Sequence, residues 1–183
     1  MSAAPDSAVL PAPVDDGACD HLPGLAAPTL VLPSTQGRVD LADLVAERAV
    51  LYVYPRTGRP GQPVPAGWDA IPGARGCTAQ SCAFRDHSAE LAGLGARVAG
   101  LSAQPLHEQV EFAERHAIPF PLVSDPELRL RDALGLLTFE FEGSTLYKRV
   151  TLVFERGKIG RVFYPVFPPE RNAADVLDWL AAR

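Results

Sequence analysis

Two cysteines lie five residues apart in the stretch Gly-Cys-Thr-Ala-Gln-Ser-Cys-Ala-Phe-Arg-Asp, which spans residues 76–86. Good helix formers with apolar spacing follow it over residues 88–94, while Pro72 and Gly73 precede it and end any earlier element. The pattern therefore predicts a helix whose first turn contains Cys77. Unpaired backbone NH groups and the positive end of the helix dipole lie at that turn, and both favour a thiolate over a thiol. Cys77 is therefore placed to be reactive.

Cys82 lies too far along the same helix for a simple disulfide. Five residues of ideal helix separate two Cα atoms by about 8.6 Å, whereas a disulfide needs them within roughly 7 Å. The pair can bridge only if the start of the helix unwinds, which indicates a redox cycle with a conformational step. A structural role stays open for both cysteines, because buried cysteines often act as small apolar side chains.

The stretch resembles the active-site helix of the peroxiredoxins, in particular the bacterioferritin-comigratory-protein or Q-type subfamily. That subfamily carries Gly-Cys-Thr, then a Glu or Gln two residues on, the second Cys and a Phe-Arg-Asp, as residues 76–86 do. The resemblance implies a thiol peroxidase with Cys77 as peroxidatic and Cys82 as resolving cysteine, joined in an intramolecular disulfide during the cycle. It also implies hydrogen peroxide and organic hydroperoxides as substrates, and thioredoxin or a similar dithiol protein as reductant.

Arg149 is a third candidate site residue. It directly precedes the strand pattern of residues 150–153, and in peroxiredoxins an arginine before this strand reaches the peroxidatic sulfur. A fixed guanidinium would stabilise the thiolate and orient both peroxide oxygens. Lys148 is the next candidate, and a solvated strand terminus is the alternative interpretation of Arg149.

The chain departs from the family at the pattern Pro-x-x-x-Thr-x-x-Cys, because Ala70 and Ala74 occupy its proline and threonine positions. Pro55, at the end of a predicted strand, resembles the family's proline, and Thr57 is the candidate replacement for its threonine. About 15 residues are then inserted before Cys77, in a loop rich in proline and glycine over residues 56–75.

Strand and helix patterns alternate along the chain and predict an α/β, thioredoxin-like fold with a central mixed sheet and helices on both faces. The continuous apolar run over residues 49–54 is typical of a central strand covered on both faces. Arg156-Gly157 joins two strand patterns in an antiparallel hairpin. Further patterns predict strands over 29–32, 96–101, 120–123, 148–155 and 158–164, and helices over 41–46, 107–116, 127–134 (capped by Asp125) and 171–182.

Composition limits the remaining possibilities. A chain of 183 residues with 47% hydrophobic and 21% charged residues suits one domain. The net charge of -5 argues against nucleic acid or an anionic membrane as a main partner, and no apolar run is long enough to span a membrane. Residues 1–24, rich in Ala and Pro, are predicted to be a disordered tail without a secretory signal, followed by a domain over residues 25–183.

Three cysteines, an odd number that includes Cys19, favour the reducing cytoplasm over a secreted disulfide framework. We expect no cofactor, since a metal site of Cys77, Cys82 and His87 would lack a fourth ligand and a tighter cysteine pair. We also expect a monomer or weak dimer. Besides a peroxidase, a thiol-disulfide oxidoreductase or a redox-sensing binding protein of the same fold remains open; Arg149 and the Cys-x4-Cys spacing favour the peroxidase.

Overall fold

A seven-stranded mixed sheet forms the centre of the structure, a computed structural model that describes residues 10–183. The strands, in chain order, are β1 (Val31–Ser34), β2 (Gly37–Asp40), β3 (Arg48–Val53), β4 (Ala96–Ser102), β5 (Leu122–Ser124), β6 (Thr138–Phe141), β7 (Ser144–Tyr147), β8 (Val150–Glu155) and β9 (Lys158–Phe163). The sheet has the order β2-β1-β5-β4-β3-β8-β9, and β6 and β7 form a separate hairpin. β3 is parallel to β4 and antiparallel to β8, which confirms the predicted mixed sheet.

Six α-helices accompany the sheet within the described residues. They are α1 (Leu41–Leu44), α2 (Cys77–Asp86), α3 (Ser88–Gly93), α4 (Leu106–Arg115), α5 (Arg129–Leu134) and α6 (Asn172–Ala181). The continuous helix predicted after Cys77 is divided at His87, whose ψ of 7° is not helical, into α2 and α3. No helix among residues 10–183 is long and apolar enough to cross a membrane.

The central strand β3 explains why helices cover both faces of the sheet. Its residues from Ala49 to Val53 are fully buried, and successive side chains of a strand point to opposite faces. Leu51 and Val53 belong to the core that includes buried residues of α1 and α5. Val50 and Tyr52 belong to a second core that includes buried residues of α2, α3, α4 and α6. The predicted arrangement of helices on both faces is therefore confirmed.

Asp125 caps α5, but the helix begins later than predicted. The predicted helix over residues 127–134 starts at Arg129, because Leu128 has a φ of 57° and is not helical. The Asp125 carboxylate accepts hydrogen bonds from the backbone NH groups of Arg129 (3.0 Å) and Leu130 (2.9 Å). The capping role is confirmed, and the predicted start of the helix is wrong. The predicted strands over 29–32 and 120–123 likewise lie slightly later in the chain, as β1 and β5.

The hairpin of β6 and β7 is not among the elements predicted from the sequence. Its two turn residues, Glu142 and Gly143, have φ of 48° and 75°, the positive values that a tight two-residue hairpin turn requires. Phe139 and Phe141, on this hairpin, are partly buried, and their rings pack against the buried cluster that contains Trp68.

The beginning of the chain packs against the domain as far as it is described. Leu22 is fully buried, and the Gly24 backbone NH donates to the Ile159 carbonyl at 2.7 Å. His21 Nε2 lies 2.8 Å from the Leu134 carbonyl oxygen, and the Tyr164 hydroxyl donates to the Asp16 carboxylate at 3.0 Å. The prediction of a disordered tail is therefore wrong for residues 10–24, while residues 1–9 lie outside the described part.

The inserted loop over residues 56–75 is ordered against the β6–β7 hairpin. Trp68, in a short 3-10 turn, is 5% exposed and packs with Ala74 and Leu146. Its ring lies 5.0 Å from that of Phe141 in an edge-on arrangement, and the Arg56 guanidinium lies over it at 4.9 Å. The loop therefore has an apolar anchor of its own, and the hairpin provides the surface that it covers.

Trp68→Ala should release this loop. Truncating a buried tryptophan costs about 3 kcal/mol or more, so we expect tryptic cleavage within residues 56–75 to become about 100-fold faster. Val64→Ala is the matched control, because Val64 is in the same loop and is 44% exposed. Mass spectrometry of a proteolysis time course measures both rates. Equal cleavage rates in the two variants would show that Trp68 does not anchor the loop.

Candidate active site

Cys77 is the first residue of α2, as the sequence predicts. Gly76 caps the helix with a φ of 103°, a conformation that other residues rarely adopt. A Cβ atom at position 76 would lie 2.7 Å from Cγ of Pro169, so the close approach of that proline also excludes a side chain. The first turn closes with the Gln80 NH donating to the Gly76 carbonyl at 2.9 Å. Both the backbone conformation and the available space therefore require glycine at the residue before Cys77.

The Cys77 sulfur is buried and in contact with Arg149. Cys77 is 3% exposed, and Arg149 Nη2 donates to its Sγ at 3.2 Å. Sγ also lies 3.6 Å from the Ala74 carbonyl oxygen. A guanidinium can only donate and keeps its charge, so this contact favours the negatively charged sulfur. The structure thus brings together the two residues that the family resemblance pairs.

Arg149 is held in place by the end of the inserted loop. Its Nε donates to the Gly73 carbonyl at 3.2 Å, and its Nη2 donates to the carbonyls of Ala74 (3.1 Å) and Arg75 (3.2 Å). Its Nη1 donates to Oε1 of Gln80. These acceptors are neutral, so the bonds hold the guanidinium without cancelling its charge near the sulfur. Arg149 is 4% exposed, which keeps that charge away from bulk water.

Thr57 and Cys77 line the same cavity. Pro55, two residues before Thr57, is buried and is not among the residues that line it. The cavity has a volume of about 810 Å³, and Thr57, Cys77 and Trp68 are among the residues that line it. The Thr57 backbone NH and hydroxyl lie 2.9 and 3.3 Å from Oε1 of Gln104. Pro55 is buried at the end of β3, and its carbonyl accepts from Ser102 Oγ at 2.9 Å. The fold therefore brings Thr57 to the same cavity as the cysteine despite the insertion between them.

The rest of the cavity wall is mixed in character. Val64 and Pro65 contribute apolar surface beside Trp68. Two ion pairs also line it: Arg59 with Glu108 at 2.5 Å, and Arg56 with Glu142 at 3.3 Å. The cavity above Cys77 therefore offers apolar and charged surface together. Lys148, the second candidate after Arg149, is half-buried, and its backbone NH donates to the Leu137 carbonyl at 2.9 Å.

Cys82 faces a different neighbour from Cys77. Its Sγ lies 3.8 Å from Nδ1 of His116, a contact that the sequence does not indicate. Burial raises the pKa of the Cys82 thiol, although Arg85 opposes this. Burial and the nearby Arg115 lower the pKa of His116. All three cysteines are free, so the wound helix keeps Cys77 and Cys82 apart, each with its own partner.

The tautomer of His116 follows from its second contact. Arg115 Nη1 lies 3.0 Å from Nε2 of His116, and because a guanidinium only donates, Nε2 must accept. The ring hydrogen is then on Nδ1 and points to the Cys82 sulfur. His87, part of the alternative metal hypothesis, contacts Glu90 at 2.7 Å instead. Within residues 10–183 no group of three or more His, Cys, Asp or Glu side chains could hold a metal ion.

Known proteins similar to this chain agree in family and fold. Residues 22–177 match the Redoxin family. The chain is 30% identical over 162 residues to peroxiredoxin Bcp of Escherichia coli, with 86% of this chain and 94% of that protein covered. It is 31% identical over 156 residues to a chloroplastic peroxiredoxin Q of rice, with 84% of this chain covered but only 64% of the rice protein's length.

The crystal structure of peroxidoxin BcpB from Mycobacterium tuberculosis superposes on this one with a TM-score of 0.72. Sequence identity is 27%, and the match covers 88% of this chain and 97% of that one. The predicted thioredoxin-like fold is confirmed by this similarity.

Arg149→Ala should slow the reaction of Cys77 with hydrogen peroxide about 10- to 100-fold, since a charge-assisted hydrogen bond contributes about 1.5–3 kcal/mol. Arg149→Lys should recover only part of the rate, because an ammonium restores the charge but not the planar fork of N–H donors that a guanidinium presents. Stopped-flow measurement of the second-order rate, with Lys148→Ala as control, tests this. Wild-type rates in both Arg149 variants would show that Arg149 has no role in the reaction and only precedes the strand.

Proposed function

Because the chain belongs to the peroxiredoxin family, we propose that it is a thiol-dependent peroxidase that reduces hydrogen peroxide and organic hydroperoxides. The observation that carries the proposal is the 3.2 Å contact between the Arg149 guanidinium and the Cys77 sulfur, at the wall of a cavity. A nucleophile stabilised by a fixed positive charge, and open to a cavity that a small molecule can enter, is what peroxide reduction requires.

In the proposed first step the Cys77 thiolate attacks one oxygen of the peroxide. An S–O bond forms and the O–O bond breaks, which leaves a sulfenic acid on Cys77. The other oxygen takes up one proton from solvent, equal to the one that the Cys77 thiol released on ionising, and departs as water or an alcohol. Negative charge moves from sulfur to the leaving oxygen during this step. The Arg149 guanidinium, beside the sulfur, would stabilise that charge. Thr57 lines the same cavity, and its hydroxyl, which donates to Gln104 in this structure, would have to turn from Gln104 to reach a peroxide.

The cavity supports organic hydroperoxides as well as hydrogen peroxide. A volume of about 810 Å³ is far more than hydrogen peroxide needs, and it is within the range of ordinary small-molecule sites. Trp68, Val64 and Pro65 supply an apolar wall for an alkyl group. The inserted loop that carries these residues is therefore our candidate for the segment that selects among peroxides.

In the proposed second step Cys82 resolves the sulfenic acid. Its sulfur attacks Cys77, an S–S bond forms, the S–O bond breaks, and the hydroxyl leaves as water with the Cys82 proton. For this attack Cys82 must leave His116 and the start of α2 must unwind. A thioredoxin-like dithiol protein would then reduce the disulfide by exchange. The reducing cytoplasm, our proposed location, supplies such reductants and keeps the free thiols reduced.

The two cysteines should separate the two steps. We expect Cys77→Ser to abolish peroxide consumption, whereas Cys82→Ser should complete one turnover and retain a sulfenic acid on Cys77. Mass spectrometry after one equivalent of peroxide identifies the product of each variant. Sulfenic acid on Cys82 in a Cys77→Ser protein with wild-type rate would reverse the roles. A wild-type protein that exchanges disulfides but does not react with peroxide would favour the oxidoreductase alternative.

Oxidation should unwind the start of α2. A disulfide between Cys77 and Cys82 cannot coexist with a regular helix, in which their Cα atoms are about 8.6 Å apart. We therefore expect amides of residues 76–82 to exchange at least tenfold faster in the oxidised than in the reduced protein, with the amides of β3 unchanged as internal control. Hydrogen exchange with mass spectrometry measures this. Equal protection of residues 76–82 in both forms, with the disulfide present, would contradict it.

A further inference from the structure

A buried chain of hydrogen bonds leads from the reactive sulfur to the beginning of α6. Arg149 donates to Cys77 and to Oε1 of Gln80. Gln80 Nε2 donates to Oδ1 of Asn172 at 2.9 Å, and Thr151 Oγ1 donates to the same oxygen at 2.7 Å. Gln80 and Thr151 are 0% exposed and Asn172 is 2% exposed. Nothing in the sequence pattern connects Asn172 to the cysteine, 95 positions earlier in the chain.

The direction of every bond in this chain follows from Arg149. A guanidinium has no acceptor, so the Gln80 atom that faces it must be the carbonyl oxygen. The NH₂ group of Gln80 then faces Asn172, which must present its own carbonyl oxygen. Thr151 completes the set by donating its hydroxyl hydrogen to that oxygen. Asn172 therefore supplies the acceptor for the buried NH₂ group of Gln80, so the orientation that Arg149 requires leaves no donor without a partner.

The reverse orientation of Gln80 would disturb the reactive site. Its NH₂ group would then face Arg149, two donors would meet without an acceptor, and a buried unmade hydrogen bond costs about 1–3 kcal/mol. Arg149 would keep its three loop carbonyls but lose the bond of Nη1, the arm of the fork that does not contact the sulfur. A fork released on that side is free to turn away from Cys77.

We propose that Asn172 is a positioning residue for Cys77: by accepting a hydrogen bond from the buried NH₂ group of Gln80, it holds that amide where its oxygen keeps the Arg149 guanidinium on the sulfur. The proposal deepens the proposed peroxidase function and rests on it. The group that matters is the carbonyl oxygen of residue 172, since the bonds from Gln80 and Thr151 both end there. Asp in place of Asn keeps that oxygen, whereas Leu, of similar size, removes it.

The test compares these two substitutions by the rates at which Cys77 reacts with iodoacetamide and with hydrogen peroxide at neutral pH. Asn172→Leu should lower both rates about tenfold, and Asn172→Asp should recover most of the loss. Asp at the first position of α6 is also favoured by the helix dipole, so this variant is expected to fold. Asp178→Ala, an exposed change in the same helix, is the control for general effects on α6.

A second background separates orientation from packing. In Gln80→Glu the side chain has an acceptor at both ends, so a carboxylate oxygen faces Arg149 without help from residue 172. Asn172→Leu should then cost less than in wild type, while Asn172→Asp should become harmful because two carboxylates face each other. If Asn172 acts on the Gln80 amide, the order of the two Asn172 variants therefore reverses between the wild-type and Gln80→Glu backgrounds. If Asn172 only fills space, the order is the same in both.

Three results would overturn the proposal: wild-type rates in Asn172→Leu, equal losses in folded Asn172→Leu and Asn172→Asp, or the same rank order in both backgrounds. Alkylation distinguishes a failure of the positioning role from a failure of the peroxidase function. If the alkylation pattern holds but wild type does not reduce peroxide, the positioning role stands and the proposed function fails. If wild type reduces peroxide and the variants match it, only the positioning role fails.

Discussion

The contact between the Arg149 guanidinium and the Cys77 sulfur requires that the buried guanidinium find hydrogen-bond acceptors for its other N–H groups. Strand β8 follows this arginine, α2 begins with the cysteine, and the end of the inserted loop provides three backbone carbonyls. A buried charge without such partners would be strongly destabilising. The loop, the helix and the sheet therefore meet at the Cys77 sulfur, the atom on which the proposed chemistry depends.

The features that could be predicted from the sequence are those with a local cause. The apolar run of β3, the position of Cys77 at a helix start and the Arg156-Gly157 turn are each determined by neighbouring residues. Arg149 came from the family resemblance, and the structure places it on the cysteine. The start of α5 differed from the prediction because Leu128 adopts a left-handed conformation that its sequence does not indicate.

Partners that meet only in the folded chain could not be predicted in this way. Asn172 and His116 are ordinary polar residues until α6 and α4 bring them to Gln80 and Cys82. The packing of residues 10–24 was not predicted because their composition resembles that of disordered segments, although Cys19 and Leu22 are buried in the folded chain. The hairpin of β6 and β7 gains its role from Trp68, which lies far earlier in the chain.

The way in which the inserted loop contacts Arg149 has a consequence for how this site can evolve. Gly73, Ala74 and Arg75 meet the guanidinium through main-chain oxygens, so replacing the side chain at Arg75 leaves the acceptor itself in place. Ala74 is buried beside Trp68, and Gly73 has a φ of 78°, so packing and backbone conformation constrain these two positions. Relatives that share this insertion are therefore expected to vary at position 75 while they keep glycine at 73, a small residue at 74 and the length of the loop.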